Sequence, residues 1–331
     1  MQYKKTTAIK CFATFLVICC HCCHLDIYNN TYCQYSVLVS RILLNFGTLG
    51  VAVFFLISGY NFGKTSKNTI NSFFLSRLVN LVVPWFFTAS IVYLYTAVRK
   101  NGIKVSSMVL EIIGIGNYTW YLTSLFLLFF LFWWFRKDEK GVLLLTILCI
   151  IVSPFQNLVI PASSLGQFVY IFQFTWIALF GLGLIVSQKE VPFFEKNRTT
   201  RYILLGSTTA IVIFLSVEDI QIYYWSFYYP IIAIPFTWGL FAGNESSIEY
   251  ACIDCPLYIF ICKALLPIYL LHMPIAGIVA RVFNKLYYSP VIIRPIMTEM
   301  LTLLMLWIAK TVSEKMHFSK VFCLLTGFRG R

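Results

Sequence analysis

Charge is what this chain has least of. Only 12% of its 331 residues are Asp, Glu, Lys or Arg, about half the share found in an average soluble domain. With 59% hydrophobic residues and a mean hydropathy of +0.78, that shortage excludes a soluble globular fold. It indicates an all-α, polytopic membrane protein. Acidic residues are scarcer still, 13 against 26 Lys and Arg. No basic surface interleaved with aromatics accompanies the excess, so it does not suggest nucleic acid; in a membrane protein, basic residues mark the cytoplasmic loops. Linkers, low-complexity tracts and internal repeats are also lacking, which leaves one membrane domain over residues 1–331. The first apolar run is followed by no A-x-A cleavage signal, and Leu16-Val17-Ile18 lacks the small residues expected before a lipidated Cys19. An uncleaved first span is therefore expected. No Ser/His/Asp arrangement stands at usable spacing.

Cysteine, by contrast, is present eleven times. Cys11, Cys149 and Cys262 sit in hydrophobic runs, where a thiol behaves as a small apolar group. The run Cys19-Cys20-His21-Cys22-Cys23-His24 looks like a metal site. Six consecutive helical residues point all round the axis, however, and do not converge on one ion. No metal is expected.

Windows of about 20 apolar residues predict ten spans, at roughly 6–25, 37–62, 78–98, 118–135, 141–160, 166–187, 202–217, 221–242, 262–283 and 288–310. Alternation places Lys64, Lys67, Arg77, Arg136, Lys137, Lys140, Lys189, Lys196, Arg198, Arg201, Lys263 and the basic tail on one side. The opposite loops near Asp26, Asn157 and Glu218 carry no Lys or Arg. Arg99, Lys100, Lys104, Arg281 and Lys285 break the pattern. The positive-inside rule thus sets both termini in the cytoplasm. Val105–Ile115 suits a short surface helix, and Glu249–Ile261 an interfacial or re-entrant segment.

Within the first span, Lys10 and His21 lie eleven residues apart, almost three full turns, and so share one helical face roughly 16 Å apart. An ionisable residue at membrane depth is costly and usually faces a bundle interior or a water-filled cavity. A cation near the helix start and a proton carrier farther along the same stripe suggest a path. His24 suits the membrane interface better than a second catalyst. In the second span Gly47, Gly50, Ser58 and Gly59 are small residues that let helices approach closely. Arg77 and Asn80 are three apart at the start of the third span, and an arginine there suits a phosphate arriving from the cytosol; it also suits topology alone.

Together these stretches resemble the acyltransferase 3 family of membrane acyltransferases. Lys10 and His21 match its basic residue eleven positions before an essential His. Gly50-Val51, Phe54-Phe55 and Ser58-Gly59 match its G-V-x-x-F-F-x-x-S-G block, and Arg77 with Pro84 its R-x-x-R-x-x-x-P signature. Asn117-Tyr118-Thr119-Trp120-Tyr121-Leu122 resembles its W-[FY]-L segment. Ile268-Tyr269-Leu270-Leu271-His272-Met273-Pro274 is similar to its I-Y-L-x-H-x-P segment. Departures are Lys10 for the usual Arg, Ala52 at a position often acidic, and Asn80 for the second Arg. The last removes a two-arginine clamp, for which Lys64 or Lys67 is an alternative.

The resemblance implies O-acyl transfer from a cytoplasmic acyl-CoA, usually acetyl-CoA, to a hydroxyl of a lipid-linked or exported saccharide at the bacterial inner membrane. It implies donor binding by Arg77, Lys10 and Asn80, and catalysis by His21. A free imidazole titrates near about 6.5, so His21 suits a general base or a transient acyl carrier. Trp120 is an interfacial anchor or an acceptor-site residue, and His272 is structural or catalytic. Arg41 and Arg294 lie in or near spans, Glu299 suits pairing with a cation, and His317 belongs to the tail. Two other classes fit the same helices: a flippase for a lipid-linked sugar, and a degenerate partner in glycan assembly, which the Asn80 departure favours.

Overall fold

The structure is a computed structural model. It describes residues 3–27, 34–65, 69–99, 105–115, 118–188, 198–241, 255–285 and 291–329. Lys67, Lys100, Lys104, Asn117, Lys189, Lys196 and Glu249 lie outside these residues, as do the side chains of His24, Asp26, Arg99, Arg198 and Lys285.

The described chain is helical. Its helices are α1 (Tyr3–Ile27), α2 (Gln34–Gly63), α3 (Ile70–Arg77), α4 (Val83–Arg99), α5 (Val105–Ile112), α6 (Trp120–Phe135) and α7 (Glu139–Val152). They continue with α8 (Phe174–Gln188), α9 (Arg198–Val217), α10 (Tyr228–Phe241), α11 (Pro256–Lys285), α12 (Ile293–Lys315) and α13 (Ser319–Thr326). Among the described residues, seven helical segments are long and apolar enough to cross a membrane, and α6, α8 and α10 are shorter apolar helices. The protein is therefore a polytopic membrane protein, and each of the ten expected spans coincides with one of these segments. Leu144, Ile147, Leu148 and Ile151 of α7 form an exposed apolar face, which water would not tolerate and lipid accepts.

Several boundaries differ from expectation. The sixth and eighth spans begin late, at Phe174 and Tyr228; the aromatics ahead of them extend the hydrophobic window but form turns. Pro256–Ile261 is helical and runs straight into the ninth span. The third begins early, at Ile70, with Thr69 as its cap: its hydroxyl oxygen accepts the Ser72 N–H at 3.4 Å. Between α3 and α4 the helix widens to a π turn over Leu78–Val82, where the Val83 N–H donates to the Leu78 carbonyl. Pro84 follows immediately; it supplies no N–H and crowds the preceding turn, a conflict that widening relieves.

The described chain forms two compact units, Met1–Ser66 with Tyr121–Ala251, and Lys67–Trp120 with Cys252–Arg331. In the first, α2 is the central helix. A Cβ on Gly47 would stand 2.6 Å from the Cys20 backbone nitrogen, and one on Gly50 2.7 Å from the Ala13 carbonyl oxygen. Here α1 lies backbone to backbone on α2. Nine residues after Gly50, half a helical rotation round, Gly59 faces the Phe180 carbonyl, and Gly183 of α8 faces the Leu56 carbonyl. Small residues on opposite faces thus seat α1 on one side of α2 and α8 on the other. Aromatic rings fill the rest: Phe55 stacks on Trp176 at 4.6 Å, and Phe180 on Phe132 at 5.0 Å.

The second unit is arranged around α11, which contains Pro267 and Pro274. Each proline deprives the carbonyl four residues earlier of its helical donor. Those carbonyls belong to Lys263 and Leu270, and both are taken by other segments. The Arg329 N–H donates to the Lys263 oxygen at 3.0 Å, and the Tyr118 hydroxyl to the Leu270 oxygen at 2.6 Å. Gly327, left-handed at φ 73°, ends α13 and lies against Leu266 and Pro84.

Candidate active site

Lys10 and His21 are both half-buried on α1. The helix is uninterrupted between them, and Thr14 donates its hydroxyl to the Lys10 carbonyl at 2.8 Å. The contacts at Gly47 and Gly50 meet α1 between the two functional groups, at Ala13, Leu16, Val17 and Cys20. The glycine block of the second span therefore acts through position: it fixes the stripe that carries the imidazole. Ser58 of the same block pairs with the Tyr121 hydroxyl at 3.3 Å. Phe54 and Phe55 both contact the Tyr121 ring. Two of the sequence blocks thus meet inside the first unit.

Near its N-terminus α2 also grips the turn between α9 and α10. Asn45 donates to Ser216 Oγ and to the Ile220 carbonyl, each at 3.0 Å, and accepts the Ile222 N–H at 2.8 Å. Arg41 pairs with Asp219 at 2.7 Å. Tyr229 donates its hydroxyl to the Thr48 carbonyl at 3.1 Å. Asn45 escaped sequence reasoning because one asparagine in a hydrophobic window has no pattern. Its only signal is the expense of a polar side chain at that depth.

In the second unit, the Arg77 guanidinium lies 4.9 Å over the buried Phe73 ring, a cation–π contact that holds the side chain at the start of the π turn. Asn80 is exposed, and its amide donates to the Ser76 carbonyl at 2.7 Å. It serves its own helix in the position where the family signature carries a second arginine.

Tyr118 and the α11 motif lock reciprocally. Tyr118 donates to the Leu270 carbonyl, and Tyr269 donates to the Tyr118 carbonyl at 2.6 Å. His272 is buried, donates from Nδ1 to the Tyr269 carbonyl at 2.5 Å, and meets the Tyr118 ring edge to face at 5.5 Å. Trp120 is 7% exposed, so its indole is enclosed by protein rather than anchored in lipid headgroups. The two sequence blocks around Trp120 and His272 are thus brought together. Glu299, half-buried on α12, pairs with no cation among the described residues. Arg294 is buried, and His317 supplies the left-handed residue (φ 60°) after α12.

A sequence profile described as an acyltransferase domain, that of acyltransferase 3, matches residues 6–311. The chain belongs to the acyltransferase 3 family. No curated protein and no solved structure matches it. Membership makes the protein a membrane acyltransferase, with an acyl donor and an acceptor as its two substrates. The match covers all the blocks described above, including the glycine pair that seats α1 and the α11 prolines whose carbonyls are taken up elsewhere.

Proposed function

We propose that this acyltransferase transfers an acetyl group from cytoplasmic acetyl-CoA to a hydroxyl of a lipid-linked or exported saccharide at the cell inner membrane. His21 is the general base. Its imidazole takes the proton of the sugar hydroxyl, the oxygen attacks the thioester carbonyl, and the C–S bond breaks. The proton then passes to the departing CoA sulfur, so the products are a sugar ester and CoA thiol. Arg77, held on Phe73, supplies positive charge for the CoA phosphates, and Lys10, on the same face of α1 as His21, is a second cation for the donor. Asn80 supports the turn beside Arg77 through Ser76. His272 holds Tyr118 and hence the start of α6 at Trp120; it is a positioning residue.

The observation that carries this reading is the seating of α1. A helix bearing a lysine and a histidine on one stripe is held by two glycine contacts that lie between them, an expensive constraint for a helix that merely spans the membrane. The test is mass spectrometry of surface glycans from cells with wild type, His21→Ala or no protein. Sugar units heavier by one acetyl group with wild type, and lost in His21→Ala at equal membrane expression, are expected. Undiminished acetylation by His21→Ala would sink the catalytic role.

A further inference from the structure

The turn ahead of α8 and the turn between α9 and α10 contribute a cluster of aromatic rings that the reaction above does not use. Trp176 and Tyr229 form its buried floor, with ring centres 5.6 Å apart. Tyr224 packs edge-on against both, at 5.5 and 5.2 Å. Above them Tyr170 meets Tyr224 at 5.9 Å and Trp225 at 5.4 Å. Tyr223 lies parallel to Trp225, 5.0 Å away and tilted by only 15°. Tyr223 is 39% exposed, while Tyr170, Tyr224 and Trp225 are more enclosed but not fully buried.

Aromatic residues at a membrane surface ordinarily serve as anchors, each ring lying among headgroups. These rings instead pack on one another, and their backbone is pinned. Asn157 donates to the Trp225 carbonyl at 2.6 Å, Trp176 to the Tyr170 carbonyl at 2.9 Å, and Asn45 holds Ile222. Polar groups rim the exposed side: Tyr223 donates its hydroxyl to Gln221 Oε1 at 2.9 Å. Among the described residues, Glu218 and Asp219 belong to the same turn, and Asp219 engages Arg41. Such a surface suits an uncharged ligand better than a phosphate. Burial first, then the neighbouring Cys20 and Tyr223, raises the Tyr170 phenol above its ordinary range. Tyr229 donates to the Thr48 carbonyl, and the neighbouring Gly47 lies against Cys20, so the floor of the cluster borders α1 at the residue beside His21.

We infer that this aromatic shelf is the docking site of the saccharide acceptor, with a sugar ring against Tyr223 and Trp225 and its hydroxyls reaching Gln221. A sugar ring has an apolar C–H face and a hydroxyl rim. The negative faces of Tyr and Trp attract the first, and the amide and phenol edges bond the second. The inference rests on the acyl transfer proposed above and adds where the acceptor lies.

The test titrates the lipid-linked glycan fraction extracted from the producing cells against purified protein with acetyl-CoA, measuring sugar ester and CoA release separately. Trp225→Ala and Tyr223→Ala are expected to raise the acceptor concentration for half-maximal transfer about five- to tenfold, the effect of losing one aromatic contact. Excess acceptor restores the wild-type maximal rate. Trp225→Phe and Tyr223→Phe return the acceptor dependence to that of wild type. Should the alanine variants not accumulate, Tyr223→Leu decides, since it keeps apolar bulk but loses the flat ring; the same shift is expected. An unchanged acceptor dependence in these variants, or a loss of transfer that excess acceptor does not restore, overturns the shelf as a sugar site and leaves it an interfacial anchor. A wild type that acetylates no glycan overturns the transfer reaction itself.

Discussion

The reciprocal lock between Tyr118 and α11 can be broken at a single oxygen atom. Tyr118→Phe removes the hydroxyl that donates to the Leu270 carbonyl at 2.6 Å. That carbonyl gets no help from its own helix, because the residue four positions on is Pro274, which has no N–H. Nor does water reach a buried residue within the hydrocarbon region. Side-chain hydrogen bonds in membrane proteins average about 0.6 kcal/mol, since the unfolded state finds replacements. Leaving a buried acceptor unsatisfied costs about 1–3 kcal/mol. The loss here belongs to the second case, so about 1–2 kcal/mol is expected. Pro274→Ala returns the missing N–H, and in that background Tyr118→Phe should cost only about 0.5 kcal/mol. Equilibrium unfolding of the four proteins in mixed micelles completes the cycle. Equal costs in both backgrounds, within about 0.5 kcal/mol, would refute the idea that the tyrosine replaces a donor the proline removed.

Other residues give sharper contrasts of function. Gly50→Ala places a methyl 2.7 Å from the Ala13 carbonyl and should displace α1, cutting acyl transfer at least about tenfold, a barrier rise of about 1.4 kcal/mol. Gly206→Ala on α9, where no atom of the described residues meets the added methyl within 4 Å, should leave activity unchanged and stabilise the helix by up to about 1 kcal/mol in the same unfolding assay. Asn45→Ala strips three hydrogen bonds from the turn at residues 216–222 and should cost about 2–4 kcal/mol. Arg41→Gln should cost under about 1 kcal/mol, because Asp219 is 67% exposed in that pair. If His21 is the general base, transfer rates should fall on the acid side as its imidazole takes a proton and loses its acceptor lone pair. A flat pH profile in that range would argue for another base.

Much of this was legible in the chain itself. Ten apolar windows, an eleven-residue separation of Lys10 and His21, and five blocks in order were enough to expect a polytopic acyltransferase 3 protein, because lipid demands length and hydrophobicity that a window can count. The same counting extended the sixth and eighth spans too far. Tyr223, Tyr224 and Trp225 score as apolar, yet they pack ring on ring in a turn anchored by Asn45. Spacing likewise placed Arg77 beside Asn80 on one helical face; the π turn that begins at Leu78 changes that pitch, and Asn80 turns to Ser76.

What the sequence by itself determined is therefore whatever depends on local period and composition: the ten apolar segments and the stripe on α1. Tertiary structure decided which surfaces meet. Gly47 and Gly50 read simply as small residues until α1 lies on them. Pro267 and Pro274 read as helix defects until Arg329 and Tyr118 fill the carbonyls they expose. A backbone group's partner can come from more than a hundred residues away, as Tyr118 does for Leu270, and no local pattern carries that information.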